Sequence, residues 1–70
     1  MAANADVVLR KMPTGQDKTA TAQDIAYHFV RHGYGMARAK HWVRLFQEVG
    51  VLLPAGKDHD GVPLLTCFWW

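Results

Sequence analysis

The stretch Thr21–Gly50 constrains the fold most, because it holds two runs of helical apolar periodicity separated by a glycine-rich break. Thr21 precedes the first run and Asp24 follows three residues later, which is the spacing of a capped helix start. Residues 33–35 read Gly-Tyr-Gly and supply residues that accept positive φ where the chain must turn sharply. The first helix is therefore expected to end near His32, before a tight turn.

The second run predicts an amphipathic helix over residues 36–49. Its apolar side chains fall within one arc when successive residues are rotated by about 100°. These inward residues are Ala39, Trp42, Val43, Phe46 and Val49. Gly50 then stands where a glycine commonly ends a helix. The predicted helix therefore has one apolar face for the core and one polar face for solvent or a ligand.

The segments before the two helices are short. Residues 6–12 predict a two-turn helix that ends before Pro13, because a following proline disfavours the α conformation; a strand is the competing interpretation. Residues 18–20 leave room for one short extended piece that could pair in a sheet. Residues 1–5 carry no structural pattern and are expected to be frayed.

The segments after the second helix predict a β-hairpin. Residues 51–53 form a short apolar run that ends at Pro54, which has no N–H for a central strand. The polar loop 55–61 separates this run from the strongly apolar residues 62–70. The element order is helix, strand, helix, turn, helix and hairpin. It predicts an α+β fold of the small winged helix-turn-helix type, as a single domain over residues 1–70.

The chain resembles the winged helix-turn-helix superfamily of DNA-binding domains in this order and in local sequence. The segment Thr21-Ala22-Gln23-Asp24-Ile25-Ala26 is similar to the common start of the first motif helix. Residues 35–54 also resemble part of the gamma domain of bacterial chromosome translocases, whose recognition helix follows a glycine and leads to a Gly-Val-x-x-Pro strand. Arg38 occupies a matching basic position there. The superfamily resemblance implies a winged-helix fold and binding to double-stranded DNA.

Composition limits the class of protein. The chain has 70 residues, of which half are hydrophobic and a fifth are charged, as expected for one small globular domain with a marginal core. Its single cysteine, Cys67, cannot form an internal disulfide, and no signal-peptide pattern occurs, so a reducing cytoplasm is the expected location. No apolar run approaches the ~20 residues that cross a bilayer, so no membrane association is expected.

The net charge of +2 conceals an uneven distribution. No acidic residue occurs from Ile25 to Gln47, whereas basic residues are frequent there. A positive region on one part of a small fold is typical of a protein that binds a polyanion; an ordinary solvated helix face is the alternative. The predicted DNA contacts are Arg31, Tyr34, Gly35, Ala37, Arg38, Lys40, His41, Arg44 and Lys57.

The second helix is the predicted recognition helix, because the second helix of such a motif lies in the major groove. Arg38, His41 and Arg44 are the candidates for contacts in the groove, and Ala37 is small enough to touch a thymine methyl group. Lys40 and Arg31, which flank these residues, are expected to meet phosphates. Together these assignments predict a sequence-specific contact surface.

The turn and the hairpin loop are weaker candidates for phosphate contact. Tyr34 and Gly35 precede a helix, where backbone N–H groups favour an anion and a tyrosine hydroxyl can donate; packing of Tyr34 over the turn is the alternative. In the hairpin loop, Lys57 is outnumbered by Asp58 and Asp60. The wing is therefore a doubtful site for phosphate.

Metal binding and catalysis have little support in the sequence. His28 and His32 are one helical turn apart, a spacing that two metal ligands can use, with Cys67 or His41 as further candidates. Because no cluster of additional ligands accompanies them, ordinary partly buried or surface histidines are the preferred interpretation, and no metal or cofactor is predicted. No nucleophile with an evident base and no glycine-rich phosphate loop occurs, so the protein is not expected to be an enzyme.

The run 62–70 is apolar on both sides of a predicted strand, with Thr66 as its polar exception. One side is expected to pack on the helices, and the other predicts a protein contact, either a homodimer or another partner. The predicted interface residues are Leu65, Cys67, Trp69 and Trp70. Coverage by the helix at 6–12 is the alternative. Two functions follow: a DNA-binding regulator or phage or plasmid accessory factor, and a protein-interaction module acting through this strand.

Overall fold

The computed structural model describes residues 4–70 and arranges them as three helices and three strands. The elements are α1 Ala5–Arg10, β1 Thr19–Thr21, α2 Ala22–Arg31, α3 Met36–Glu48, β2 Leu52–Lys57 and β3 Pro63–Cys67. The strands form one antiparallel sheet in the order β1-β3-β2. This arrangement confirms the predicted fold class, a small winged-helix-like α+β fold in which the β2–β3 hairpin is the wing.

Local chemistry sets the ends of α2 and α3. The Thr21 hydroxyl oxygen accepts a hydrogen bond from the Asp24 N–H at 3.1 Å, as the capping pattern predicts. Gly33 has a φ of 97° and Gly50 a φ of 82°, both in the left-handed region where glycine is favoured. Gly35 instead has an extended backbone with a φ of −72°. Of the two glycines in the break, Gly33 is therefore the one whose turn geometry requires glycine.

The core lies where the helices meet the inner face of the sheet. Its largest fully buried side chains are Phe29, Leu9, Ile25, Leu52 and Val8. Phe29 of α2 packs against Phe46 of α3, with ring centroids 6.4 Å apart. Trp42, predicted to face inward, is half-buried. Its ring packs on that of Phe46, with the ring centroids 5.7 Å apart. Each large apolar side chain that is buried contributes about 1.5–3 kcal/mol, so a few residues determine the stability of this domain.

Residues 5–10 form a helix rather than the competing strand, and α1 ends two residues earlier than predicted. Ala5, expected to be frayed, begins this helix and is 8% exposed, while the same expectation for residues 1–3 lies outside the described residues. Val8 and Leu9 of this helix are buried. The Val8 carbonyl accepts a hydrogen bond from His28 Nε2–H at 2.6 Å, which joins α1 to α2. A helix this short is marginal on its own, so these contacts rather than intrinsic propensity hold it in place.

The hairpin strands differ from the prediction at both ends. β2 continues through Pro54 to Lys57 because it is an edge strand, where a proline is tolerated. The pairing register shifts between Pro54 and Lys57, and Gly56 in between has a φ of 83°, as expected for a bulge. β3 ends at Cys67 and the chain then turns, so the predicted strand over 62–70 is too long.

The two tryptophans after β3 fold back onto the chain itself. Trp70 Nε1–H donates a hydrogen bond to the Leu9 carbonyl at 2.9 Å, and the Arg10 guanidinium carbon lies 4.3 Å from the Trp69 ring centroid. The Trp69 ring also packs edge-on against the Phe46 ring, with the ring centroids 6.0 Å apart. These contacts place both indoles against α1, and Trp69 also against α3.

This packing corrects the predicted protein interface. Leu65 and Cys67 are 7% and 3% exposed and belong to the core, while Trp69 and Trp70 are half-buried against their own chain. The turn after Cys67 is the physical reason, because it returns the tryptophans to the helices instead of extending an apolar strand into solvent. α1 covers Trp69 and Trp70, as the alternative interpretation expected, whereas Val62 and Phe68 of the same apolar run remain 42% and 70% exposed.

Candidate nucleic-acid interface

The outward face of α3 exposes the side chains that periodicity assigned to DNA contact. Ala39, Val43 and Phe46 are the buried residues of this helix. The residues exposed around the rest of it include Ala37, Arg38, Lys40, His41, Arg44 and Glu48. Glu48 is the one acid in Met36–Glu48 and stands at the C-terminal end. The facing inferred for α3 is therefore confirmed for Ala39, Val43 and Phe46, whereas Val49, predicted to face inward, is 62% exposed. The exposed surface of α3 is basic along most of its length.

The cations of α3 lie on two sides of the helix. On the side of the turn, the Arg38 guanidinium carbon lies 5.0 Å from the Tyr34 ring centroid, a cation–π contact that contributes about 0.5–1 kcal/mol at an exposed site. On the opposite side, Lys40 and Arg44 are one helical turn apart and face α2. His41 lies between them on the outward face, with its ring 5.9 Å from that of Trp42. Positive charge therefore lies on both sides of the exposed face of α3.

Tyr34 is a core residue, and its burial contradicts the predicted phosphate contact. Its side chain is 5% exposed, and its ring meets Phe29 edge-on at 5.2 Å. The Tyr34 N–H donates to the Phe29 carbonyl at 3.1 Å, which ties the turn to the end of α2. An aromatic residue here fills the gap between the end of one helix and the start of the next. The alternative, packing over the turn, is the observed role.

Gly35 is the N-cap of α3, and no described side chain makes a cap hydrogen bond there. The first turn of α3 contains no acidic residue among the residues described. Backbone N–H groups at a helix start favour an anion. A phosphate contact at Gly35 stays a prediction.

Arg31 is exposed, but the structure does not bring it to the outward face of α3. It lies at the end of α2 and lines a cavity of about 290 Å³ together with Asp24 and His28. Those residues lie on the side of α2 that faces Met12 and the segment after α1. Arg31 is therefore separate from the basic surface of α3.

The wing tip is an ordered acidic loop. Asp58 Oδ1 accepts hydrogen bonds from the N–H groups of Asp60 and Val62, each at 2.9 Å, which is the geometry of a side chain that closes a turn. His59 Nε2 lies 3.4 Å from Asp60 Oδ2 at the exposed tip. Lys57, the predicted wing contact, ends β2 beside these carboxylates. Their negative charge opposes an approach of phosphate to the wing.

His28 is a buried polar residue for which the sequence suggested only a possible metal site. It is 5% exposed, donates to the Val8 carbonyl, and its ring centroid lies 4.6 Å from that of His32. Burial lowers the pKa of His28 below its usual value; nearby His32 and Arg31 act in the same direction, and the hydrogen bond to Val8 opposes them. Within residues 4–70, no group of three or more metal-ligating side chains is gathered. His28 is thus a structural link between α1 and α2.

Sequence reasoning missed an open groove of about 870 Å³ between α2 and α3. The lining residues are Ala22, Gln23, Ala26, Tyr27, Met36, Lys40, Val43, Arg44 and Gln47. Tyr27 and Met36, on its two sides, are 45% and 37% exposed. The available signal was the pair of alanines four residues apart on α2, because small side chains on facing helices leave room between them.

No protein-family model, curated protein or solved structure matches this chain. In the part of the chain that the structure describes, no helix combines the length and the apolar character that a membrane span requires. The geometry of the α3 surface is therefore the basis for a functional proposal.

Proposed function

We propose that the protein binds double-stranded DNA sequence-specifically and inserts α3 into the major groove. The observation that carries this proposal is the exposed face of α3, where basic and small side chains stand together. They are Ala37, Arg38, Lys40, His41 and Arg44. The stretch from Ile25 to Gln47 contains no acid to repel a phosphate backbone. Such a domain serves as a small transcriptional regulator or as a phage or plasmid accessory factor.

The dimensions of α3 suit this role. A helix with its side chains is about 10–12 Å across, and the major groove of B-DNA is about 12 Å wide. Ala37, near the start of α3, permits a close approach of the helix to base edges or a thymine methyl group. His41 and Arg44 follow at successive turns of the same face and are the proposed base contacts.

The proposed phosphate contacts lie beside α3 rather than on the wing. Lys40 stands on the α2 side of the helix, and Arg38 on the side of the turn, above Tyr34. A cation on each side of the inserted helix matches the two phosphate strands that border a groove. The acidic tip at Asp58 and Asp60 favours an orientation in which the wing stays away from the backbone.

Measurement of duplex binding against salt concentration tests the proposal. A binding selection on random duplexes first defines a target, and the affinity for that target is then measured between about 50 and 200 mM salt. The logarithm of the affinity should fall linearly with the logarithm of salt, with a slope of about 0.9 per phosphate contact. A protein that selects no duplex, or whose affinity ignores salt, contradicts the proposal.

Arg44→Ala tests the assignment of the recognition helix. It should weaken binding to the selected duplex by about 1–3 kcal/mol and relax specificity at one base position, because it removes a proposed base contact. Lys11→Ala is the matched control: it removes one exposed positive charge at the end of α1, away from α3, and should have little effect. Equal effects of the two substitutions would show that only the net charge matters.

A further inference from the structure

The groove between α2 and α3 has an apolar floor that a DNA-binding role does not use. Ala26 and Val43 are buried at its base, and Tyr27 and Met36 leave 45% and 37% of their surface exposed along it. A phosphate backbone is polar and does not cover apolar surface. Of the proposed DNA contacts, His41 lies outside the groove lining, whereas Lys40 and Arg44 belong to it. The groove therefore adds an apolar surface beside the proposed DNA contacts and shares two cations with them.

The charge at the groove has one sign. Lys40 and Arg44 line it on the α3 side, and none of the lining residues that the structure describes is acidic. Gln23 and Gln47 add amide groups that can donate or accept hydrogen bonds. A ligand that covers the floor therefore needs apolar groups at its centre and negative groups at its edge.

The shape favours a helix over a small molecule. Small-molecule sites enclose about 70–90% of their ligand, whereas this groove is only partly enclosed. Two packed helices form a trough in which a third helix, about 10–12 Å across, can lie. Amphipathic helices bind such grooves through apolar side chains at positions i, i+3 or i+4, and i+7.

We propose that this groove binds an acidic amphipathic helix of a partner protein. The apolar stripe of that helix packs on Tyr27 and Met36, whose side chains are exposed along the groove. Its flanking Asp or Glu side chains form charge-assisted hydrogen bonds with Lys40 and Arg44. These bonds set the orientation of the helix in the groove. The C-terminal tryptophans take no part, since they are packed on α1 and α3.

A peptide selection on the intact chain tests this proposal. The probe is a display library of random 16-residue peptides, which favours neither a charge nor a helical pattern. The enriched peptides should share apolar residues at helical spacing and carry net negative charge. A selection that enriches no peptide, or that enriches peptides without acidic residues, overturns the proposal.

Groove variants then locate the binding site of an enriched peptide. Tyr27→Ser combined with Met36→Ser should lower the peptide affinity at least about tenfold, because two central apolar contacts are lost. Lys40→Glu, an exposed change that leaves the core intact, should also lower it at least about tenfold, whereas Lys11→Glu should not. Peptide affinity that survives both groove variants in folded protein places the site elsewhere and overturns the proposal.

Two further measurements exclude other occupants. Self-association of the wild-type chain that Tyr27→Ser abolishes would make the groove a homodimer contact. Loss of duplex affinity in the Tyr27→Ser, Met36→Ser variant would make it part of the DNA surface. Either result overturns the proposal of a partner helix. The peptide measurements contain no DNA, so their outcome does not depend on the proposed function.

Discussion

His28 shows at the level of one residue how a small core tolerates a polar side chain. Its Nε2–H donates to the Val8 carbonyl at 2.6 Å, so the buried imidazole keeps a partner. Charging it inside the core is unfavourable because burial removes water from the ring, and because His32 and Arg31 are close. The pKa of His28 is consequently lowered from its usual 6.5.

The stability of the protein should therefore decrease on acidification. Between the folded and unfolded pKa values of His28 the unfolded chain binds more protons, so the free energy of unfolding rises with pH in that window. The contribution is complete above about pH 6.5 and is lost as pH falls toward the lower folded value. His28→Gln keeps a donor for Val8 but does not titrate, so its melting temperature should fall less between about pH 7.5 and 5.

Thermal melts of wild type, His28→Gln and the control His41→Gln check this expectation. His41→Gln makes the same chemical change at an exposed position on α3 and is the matched control. If the melting temperature of His28→Gln changes with pH as steeply as that of wild type, the burial of His28 does not cause the loss of stability in acid.

A second residue-scale prediction concerns the indole of Trp70. Trp70→Phe keeps an aromatic ring but removes the Nε1–H that donates to the Leu9 carbonyl at 2.9 Å. The loss should reduce the free energy of unfolding by about 0.5–1.5 kcal/mol, which corresponds to several degrees in melting temperature for a domain of this size. Urea unfolding measures it directly. An unchanged midpoint would show that α1 is held without this bond.

At the scale of elements, periodicity was sufficient where a helix has both a cap and an apolar arc. Thr21 and Gly50 marked helix ends, and the arc through Ala39, Val43 and Phe46 oriented α3 as observed. Tyr34 lies between the helices, where no period applies, and its burial therefore did not follow from the pattern. The groove depends on the distance between α2 and α3, which periodicity does not encode.

Strand ends were harder to predict, because alternation cannot show where an apolar run stops being a strand. Residues 62–70 are apolar throughout except for Thr66, and no glycine or proline marks the turn after Cys67. The continuation of β2 through Pro54 followed from its edge position, which is a property of the sheet and not of the segment.

The wing gives an element-scale prediction that rests on the proposed DNA binding. Asp58→Asn combined with Asp60→Asn should strengthen duplex binding, most clearly at low salt, because two negative charges beside Lys57 are removed. Asparagine at position 58 can still accept the two backbone hydrogen bonds that close the turn. Asp6→Asn combined with Asp17→Asn removes the same charge elsewhere and should have a smaller effect. Equal gains in both variants would contradict a local role of the wing.

At the scale of the whole molecule, hydrogen bonds at Lys18 link the segment before β1 to β3 and to the C-terminal residue. The Lys18 ammonium donates to the Trp70 main-chain oxygen at 3.1 Å, and the Thr66 hydroxyl donates to the Lys18 carbonyl at 2.8 Å. Lys18 itself has a φ of 56°, a strained value for a residue with a side chain, and these bonds help to maintain it. Together with Trp69 and Trp70 they join α1, β1 and β3 into one body.

The last prediction concerns the two tryptophans together. Trp69→Ser combined with Trp70→Ser should destabilise the folded chain rather than dissociate a dimer, since Trp70 packs on α1 and Trp69 packs on α1 and α3 of the same chain. Truncation of a fully buried tryptophan lowers the free energy of unfolding by about 3–5 kcal/mol, and these two tryptophans are half-buried. The double variant is therefore expected to lose roughly 3 kcal/mol of the free energy of unfolding. This is a large share of the about 5–15 kcal/mol that is typical of a folded domain.

Urea unfolding and sedimentation of the same samples separate the two explanations. Phe68→Ser is the matched control, because Phe68 is the neighbouring aromatic residue but is 70% exposed, and its replacement should cost within about 0.5 kcal/mol. The wild-type chain and the control should both sediment as monomers, and only the double variant should unfold at lower urea. The prediction is contradicted if the double variant unfolds at the same urea concentration as wild type but sediments with a lower mass. The tryptophans would then lie in an interface between two copies of the chain, with their rings covered by the second copy rather than by α1.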